Sequence, residues 1–449
     1  MDSGAIDENA GDSSNYSKIA IAMASAQKQG VHIASPLINS AEYGYSPDVE
    51  HNQIIFGLKG IRDINDDVVR LIIQNRPYTS MEDFYKRMIE TGLIKKSQML
   101  QLIKAGCFTE LDNRDRRATM KYFLSHYVVK TIAKLTLAQY SKIVAFMDSE
   151  YGIGLPEELF RSISYKEFQD YCLQDCFLYK EYIDPKRKMV KAGYHDRWYK
   201  LDDIAMNFFK QNYSEDTVEA VDGEYYIISE KKFKKATAEK MEPLRNWMES
   251  KEALLWYQNC LLQEAIETYA TGTVAKWEMN SLSIYCTQEH ELAHIKRDLY
   301  GIENYFSLPE QPEIYDYYTK TIRQLDGTVE TKQFPKHKIV RLAGTVLDKN
   351  KDRHTISLLT PEGVVTVKFN KGHFAYYDKQ ISQVDSQGNK TVVEKSWFTR
   401  GSLLLVCGCR IGSQFFVKKY MDTVWKHTCN YITEVKENGK LLEKTEREQ

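Results

Sequence analysis

Several patterns that would narrow the function are missing from this 449-residue sequence. Its eight cysteines form no CxxC pair, and its first residues lack the basic-then-apolar pattern of a secretory signal. Reduced thiols in a cytoplasmic protein are therefore expected. No apolar run approaches the roughly 20 residues that a membrane span needs, so no membrane partner is predicted.

Sequence motifs of catalysis are missing as well. The sequence contains no D-x-D triplet, no Walker loop, and no GxGxxG, GxSxG or HExxH motif. The adjacent pairs Asp66-Asp67 and Asp202-Asp203 occur in helical patterns, where neighbouring side chains point about 100° apart. Such pairs more often cap a helix than chelate an ion. We therefore predict no catalytic residue and no cofactor bound by this chain.

Two residue pairs have the four-residue spacing with which one helix face can hold a metal ion. Cys172 and Cys176 have no His or Cys partner nearby, so they are interpreted as buried apolar thiols. His290 and His294, in "EHELAH", do not form the HExxH pattern. The sequence therefore predicts no metal site.

The charge is unevenly distributed along the chain. Lys+Arg and Asp+Glu nearly cancel, at 61 and 62, yet residues 332–426 contain 17 basic and 7 acidic residues. This local excess of 10 positive charges predicts a basic C-terminal module, which favours an anionic partner.

The periodicity of apolar residues predicts a multidomain α+β protein. Helical patterns dominate until about Gln333, after which the pattern changes to short strands. Five runs have the β-branched and aromatic composition of strands: "KIVRLAGTVL", "HTISLL", "GVVTVKFN", "SLLLVCGCR" and "QFFVKKY". Five strands in about 90 residues indicate a small closed barrel of the OB-fold type.

These patterns predict six segments. They are a disordered leader over residues 1–15, a helical helix-hairpin-helix region over 16–127, a mostly helical insert over 128–270, a connecting α segment over 271–332, an OB-like β-barrel over 333–428 and a charged C-terminal tail over 429–449.

Two blocks of the sequence resemble the C-terminal part of the bacterial replicative DNA polymerase III alpha subunit. In the first block, "ASAQKQGVHIASPLINS", "FGLKGIRDINDDVVRLI", "YTSMEDFYKRM" and "LIKAGCFTELDNRDR" are similar to successive segments of that family. In the second, "WEMNSLSIYCTQEHEL" precedes barrel strands that look like the family's OB domain. Order and spacing agree over about 250 residues, whereas residues 128–270 are not covered by the resemblance.

The hairpin "GIRDIN" departs from the family pattern at two positions. Asp63 and Asn65 stand where the family has glycines whose left-handed backbone turns N–H groups toward a phosphate. Asp and Asn adopt that conformation most readily after glycine, so the turn is expected to survive. However, Asp63, Asp66 and Asp67 weaken its attraction for an anion. Two interpretations stay open: the hairpin only packs, with Asp66 and Asp67 capping the helix, or it holds duplex DNA.

In the DNA-binding interpretation, the resemblance implies sequence-independent, salt-sensitive phosphate contacts. The candidate duplex-binding residues are Lys59, Arg62, Asn65, Lys95, Lys96, Lys104, Arg114, Arg116 and Arg117.

An OB barrel binds single strands by stacking bases on aromatic rings while basic residues follow the backbone. The candidates here are Arg341, Lys349, Lys351, Arg353, Lys368, Phe374, Tyr376, Tyr377, Arg410 and Lys418. Phe369, Phe415 and Phe416 are further aromatic residues. Strand alternation requires that Phe369 and one of the other two face the barrel interior.

The resemblance implies a DNA-binding, non-catalytic part of a replicative polymerase. The chain would hold duplex and single-stranded DNA for a palm domain on another chain, and that palm would carry the Mg²⁺ ions. A polymerase encoded in two pieces is favoured over a truncated copy. Contact with a sliding clamp is left open, because the nearest clamp-like peptide, "QNCLL" from Gln258, lies in a helical pattern that favours helix core.

Two other functions are kept as alternatives. One is a stand-alone nucleic-acid-binding accessory protein of replication. The other is an enzyme with a site in the insert, where "YHDRWYKLDD" contains His195, Asp196, Asp202 and Asp203.

Overall fold

The computed structural model describes residues 13–179, 197–323, 328–384, 388, 390–436 and 438–447. They form two compact units. Unit 1 contains residues up to 121 and from 271 onward, and unit 2 contains residues 122–270. The predicted insert therefore forms a unit of its own, beginning at residue 122 rather than 128.

Helices occur in both units. In chain order they are α1 (Ser13–Lys28), α2 (Asp66–Gln74), α3 (Met81–Phe84), α4 (Lys96–Lys104), α5 (Arg116–Phe123), α6 (Tyr140–Met147), α7 (Glu157–Asp175), α8 (Asp203–Asn212), α9 (Glu230–Lys240), α10 (Glu242–Met248), α11 (Lys251–Tyr269), α12 (Val274–Leu282), α13 (Arg297–Tyr300) and α14 (Lys371–Asp378). Because α1 begins at Ser13, the last three residues of the predicted leader are helical. The rest of that leader lies outside the described residues.

The strands are concentrated in the C-terminal part of unit 1. In chain order they are β1 (His32–Ala34), β2 (Ser46–Asp48), β3 (Gln53–Ile55), β4 (Phe177–Tyr179), β5 (Trp198–Lys200), β6 (Val218–Asp222), β7 (Tyr225–Ser229), β8 (Ile314–Arg323), β9 (Val329–His337), β10 (Val340–Asn350), β11 (Thr355–Thr360), β12 (Gly363–Lys368), β13 (Ile381–Val384), β14 (Lys390–Glu394), β15 (Leu403–Ile411), β16 (Gln414–Val417), β17 (Cys429–Val435) and β18 (Leu441–Lys444).

The predicted OB-like barrel is confirmed. Its five strands pair in the order β10-β11-β12-β16-β15, and β15 pairs back onto β10 to close the barrel. The predicted alternation holds on β12 and just beyond it, where Val365, Val367 and Phe369 are buried in the core. Because successive strand residues point to opposite faces, Lys368 lies on the outer face.

The last residues do not form the predicted tail. Strand β17 pairs with β15 and β18 with β17, so this segment extends the barrel sheet. Apolar side chains at Ile432 and Leu441 pack into a second core against Leu405, which explains why a segment rich in charge is folded here. The prediction of a charged tail over 429–449 was therefore wrong for these strands.

The predicted connecting α segment contains a long β-ribbon. Helices α12 and α13 occupy its first part, but β8 and β9 then form an antiparallel pair from Ile314↔His337 to Arg323↔Val329. The residues of β8, "IYDYYTKTIR", are mostly aromatic, β-branched or aliphatic, which favours a strand over a helix.

The first half of unit 1 is mainly helical, as predicted. A small sheet of order β1-β3-β2 precedes α2, and α3 to α5 follow. Ser80 caps α3, since its Oγ accepts a hydrogen bond from Asp83 N at 3.0 Å. This block presents the hairpin between Leu58 and α2.

Unit 2 combines helices α6 to α11 with a sheet of order β4-β5-β7-β6, a sheet that the sequence did not indicate. Cys172 and Cys176 are buried in its core, as expected, and the hydrogen bond between them together with burial raises the pKa of Cys172. The clamp-like peptide from Gln258 lies within α11, where Cys260 is buried. No helix among the described residues is both long and apolar enough to cross a membrane.

Candidate nucleic-acid interface

The hairpin turn keeps a left-handed residue without glycine. Asp63 has a φ of 63°, so it adopts the conformation expected of it. Asn65 differs from the expectation. It has an extended backbone and acts as the N-cap of α2, its side chain accepting a hydrogen bond from Val68 N at 3.1 Å. The cap of this helix is therefore Asn65 rather than Asp66 or Asp67.

Basic and polar neighbours partner two of the hairpin carboxylates. Lys59 Nζ lies 2.7 Å from Asp66 Oδ1, and this contact is the main reason why the pKa of Asp66 is lowered. Gln101 donates to Asp63 at 3.2 Å, while Arg62 lies 3.9 Å from the same carboxylate. The acidic residues are thus partly neutralised, which reduces their repulsion of an anion.

Arg116 is part of the fold rather than of a DNA surface. Its guanidinium donates to Glu278 Oε1 at 2.9 Å, and Glu278 is fully buried. The same carboxylate accepts hydrogen bonds from the backbone N–H groups of Cys286, Thr287 and Gln288 at 2.9, 3.1 and 3.2 Å. A buried arginine held by a buried carboxylate is not available to a phosphate, so Arg116 is removed from the candidates.

Two other arginines of the duplex set also make contacts within unit 1. Arg114 lies 2.7 Å from Asp112 and 3.6 Å from Glu82. Arg117 donates to Gly272 O at 2.7 Å and stacks over Trp277.

Besides Lys59, the same set contains three lysines, which differ in exposure. Lys95 and Lys96, at the start of α4, are exposed, whereas Lys104 is half-buried, and burial lowers its pKa. Only the first two are well placed to meet a backbone phosphate.

In the barrel, two of the predicted single-strand residues are structural. Arg341 is buried and lies 3.7 Å from Glu443. Arg410 donates to Leu308 O at 2.8 Å and stacks on the ring of Tyr305. Both guanidinium groups therefore hold neighbouring segments onto the barrel.

Burial also removes two aromatic candidates from the surface. Phe374 and Tyr377 are 4% and 6% exposed and belong to the barrel core, and burial raises the pKa of Tyr377 to about 12. They are three residues apart on α14, so they share its inward face, while Tyr376 points outward.

On β16, Phe415 is the phenylalanine that faces the barrel interior. Phe416 is half-buried on the outer face and pairs in register with Lys368.

Four of the five remaining basic candidates lie at or beside the turn between β10 and β11. Lys351 and Arg353 are exposed there, and Lys349 forms an ion pair with Asp378. Lys368 donates to the backbone carbonyl of Arg353. Lys418 is half-buried just after β16.

The hairpin and the barrel line one cleft of about 600 Å³. Lys59, Arg62 and Asn65 contribute from the hairpin side, and Lys349 from the barrel side. Residues predicted separately for duplex and for single-strand binding are thus brought together. Sequence reasoning missed Arg400, which lines the same cleft and whose Nε donates to Leu347 O at 3.1 Å. In the sequence, Arg400 was indicated only by its position within the basic segment of residues 332–426.

The cleft also contains two carboxylates. Asp63 belongs to the hairpin, and Asp348 lies on β10 next to Lys349. Burial raises the pKa of Asp348. The lining holds four cations and two carboxylates and is therefore basic, while Lys59 and Lys349 also form ion pairs with Asp66 and Asp378 beside it. A basic lining suits a polyanion better than a small cation.

The residues that could suggest a metal or an active site have structural roles. His290 Nε2 donates to Leu359 O at 2.9 Å and its Nδ1 accepts from Leu292 N at 3.0 Å, while burial lowers the pKa of this histidine to about 4. Asp202 caps α8 and Asp203 accepts from Tyr225. No cluster of metal-ligating side chains occurs among the described residues. His195 and Asp196 lie outside that part of the chain.

A helix-hairpin-helix region and an OB-like barrel together define a protein built from nucleic-acid-binding folds. Residues 30–119 match the family described as the helix-hairpin-helix motif. The chain is 38% identical over 436 residues to the probable DNA polymerase YorL of Bacillus subtilis strain 168, and equally to the DNA-directed DNA polymerase of Bacillus phage SPbeta. These alignments cover 96% of this chain and 31% of each relative.

A shorter similarity extends to cellular replicases. Over 95 residues the chain is 38% identical to the DNA polymerase III subunit alpha of Treponema pallidum, which covers 20% of this chain and 8% of that subunit. The chain is therefore similar to part of the DNA polymerase III alpha subunits, as its motifs indicated. Since the two Bacillus alignments cover nearly the whole chain, they include most of residues 128–270, which the sequence resemblance had left uncovered.

Proposed function

We propose that this chain holds DNA at the junction between duplex and single-stranded template for a polymerase. The basic cleft shared by the hairpin and the barrel carries the proposal. Lys59 and Arg62 would contact duplex phosphates, and the exposed Lys95 and Lys96 at the start of α4 would add further contacts. Lys349 and Arg400 would contact the strand that leaves the duplex.

The catalytic carboxylates would belong to a palm domain on another chain, with its Mg²⁺ ions. Nucleotide transfer by two metal ions needs carboxylates fixed on rigid elements. In the adjacent aspartate pairs, Asp66 instead pairs with Lys59, Asp202 caps α8 and Asp203 accepts a hydrogen bond from Tyr225. The chain would then bind and position the DNA, and the palm domain would catalyse nucleotide transfer.

The barrel surface gives a test of single-strand binding. Phe416→Ala should weaken binding of a labelled oligothymidine by roughly 5- to 150-fold, because one stacked base is worth roughly 1–3 kcal/mol. Phe416→Trp should preserve binding because it keeps a ring on the same outer face. Fluorescence anisotropy measures the affinities, and Phe177→Ala, which removes an exposed ring from unit 2, is the control. Wild-type affinity in a folded Phe416→Ala variant would contradict a stacking role.

Reconstitution tests the division of labour. A palm-bearing polymerase chain from the same source should extend a primer efficiently only after this chain is added. A variant of this chain that lacks the cleft cations Lys59, Arg62, Lys349 and Arg400 should restore little extension. Equal extension by the palm-bearing chain alone would overturn the proposal.

A stand-alone accessory protein is the second candidate, since a helix-hairpin-helix region and an OB-like barrel can bind DNA without a catalytic partner. The two candidate functions predict different subunit compositions for the purified native protein. The first requires a stoichiometric polymerase chain in material isolated from the native source, and the second requires none.

A further inference from the structure

The ribbon formed by β8 and β9 has a surface that its own fold does not use. From Ile314 to Thr321 every side chain of β8 is exposed, and Tyr317 is 56% exposed. Val329 on β9 is exposed as well. A two-stranded ribbon that covers neither face is marginally stable in water. These exposed aromatic and apolar side chains therefore indicate a binding partner.

The ribbon is attached beside one edge of the barrel. The segment just before β8 is held at the β15–β16 turn, where Arg410 donates to Leu308 O and Gly412 N donates to Glu310 O at 2.7 Å. The first residues of β8 are fixed by Tyr315, whose hydroxyl donates to Asp422 at 3.0 Å. Strands β15 and β16 are the fourth and fifth of the barrel, and the loop between those strands is one of the two with which OB-folds contact oligonucleotides.

The side chains farther along the ribbon suit an anionic, stacking ligand. Lys320 lies directly opposite Lys332, an arrangement of like charges that destabilises an antiparallel pair. Glu330, 3.0 Å from Lys332, relieves only part of this repulsion. A phosphate group between the two lysines would relieve the rest. Next to them, the rings of Tyr318 and Phe334 stack with centroids 5.7 Å apart.

We propose that the β8–β9 ribbon is a second single-strand DNA site, which continues the strand path beyond the barrel. Lys320 and Lys332 contact the backbone, and Tyr318, which lies on the same face of β8 as Lys320, offers its ring to a base. Single-stranded DNA is favoured over a protein partner because the opposed lysines call for an anion and the attachment point adjoins the barrel's nucleic-acid edge. This inference rests on the proposed single-strand role of the barrel.

Oligonucleotide length separates the two sites. An oligothymidine of about 8 nucleotides is within the range that one OB-fold covers, whereas one of about 24 nucleotides reaches beyond it. Lys320→Ala/Lys332→Ala should weaken binding of the long oligonucleotide roughly tenfold or more at 0.1 M salt. The plot of log affinity against log salt concentration should also become less steep by about 1.4, because each of the two lost phosphate contacts contributes about 0.7 to its slope. Binding of the short oligonucleotide should not change.

Matched variants control for charge and folding. Lys436→Ala/Lys440→Ala removes the same charge from an exposed turn of unit 1 and should bind both lengths normally. Lys320→Arg/Lys332→Arg should retain wild-type binding. Because all of these side chains are on the surface, circular dichroism should show unchanged folds.

One result would overturn the ribbon site, and a different result would overturn the single-strand role of the barrel. If Lys320→Ala/Lys332→Ala binds the long oligonucleotide as tightly as the wild type, the ribbon proposal is overturned, and a protein partner becomes the better reading of the ribbon. If Lys368→Ala/Phe416→Ala leaves binding of the short oligonucleotide unchanged, the role of the barrel fails instead. Photo-crosslinking of a long iodouracil-containing strand to Tyr318, located by mass spectrometry, would support the ribbon site directly.

Discussion

Glu278→Ala should destabilise unit 1 by about 3–5 kcal/mol, a large fraction of the free energy of unfolding of a typical domain. The substitution leaves the Arg116 guanidinium buried without its carboxylate partner. It also removes the acceptor of the backbone N–H groups of Cys286, Thr287 and Gln288. A buried donor that has no acceptor destabilises the fold by the full free-energy cost of its desolvation.

Urea denaturation measures this effect. For an m-value of 1–3 kcal/mol/M, the unfolding midpoint of unit 1 should fall by at least about 1 M. Hydrogen exchange of the α12 amides, which belong wholly to unit 1, assigns the transition to unit 1 rather than unit 2. Glu289→Ala provides the control, because that glutamate is exposed and lies 2.8 Å from the exposed His294.

A double-variant cycle identifies the cause of the loss. Glu278→Ala/Arg116→Met should be less destabilised than the sum of its single variants, because it no longer contains an unpaired buried charge. Additive losses would show that the two residues stabilise unit 1 independently. A midpoint close to wild type in Glu278→Ala would contradict the assignment of this ion pair to the fold.

The sequence distinguished folds better than it distinguished the roles of individual arginines. Arg116 and Arg117 are adjacent, and both looked like surface cations of a basic stretch. The partner of Arg116 is Glu278, 162 residues away, so no local pattern could reveal that one of the two is buried. Long-range pairing of this kind depends on the tertiary fold, which composition and spacing do not specify.

The barrel strands could be predicted because burial alternates along them. In "VVTVKF", Val365 and Val367 face the core while Lys368 faces outward, as the period of two requires. The ribbon gave a weaker signal, since β8 buries neither face and so shows no alternation. Helix α14 was missed within the barrel segment, and with it the three-residue spacing that turns Phe374 and Tyr377 inward.

The two sides of the cleft are expected to act on different parts of one DNA substrate. Lys59→Ala/Arg62→Ala should weaken binding of blunt duplex, and Lys349→Ala/Arg400→Ala should weaken binding of a single strand. A primer–template with a single-stranded overhang should lose affinity with either pair. With all four cations removed, the affinity for the primer–template should fall roughly a thousandfold at 0.1 M salt. This follows because each lost phosphate contact contributes about 0.7 to 0.9 to the slope of log affinity against log salt concentration.

An opposite change of charge in the same cleft is the internal control. Asp348→Asn removes a carboxylate that lines the cleft, so primer–template binding should become tighter rather than weaker. Burial raises the pKa of Asp348, so protonation begins at a higher pH than for an exposed aspartate. As pH falls through that pKa, wild-type binding should therefore strengthen, and Asp348→Asn should lack this contribution. If both cation pairs leave all three substrates bound as before, the cleft is not the DNA site, whatever the effect of Asp348→Asn.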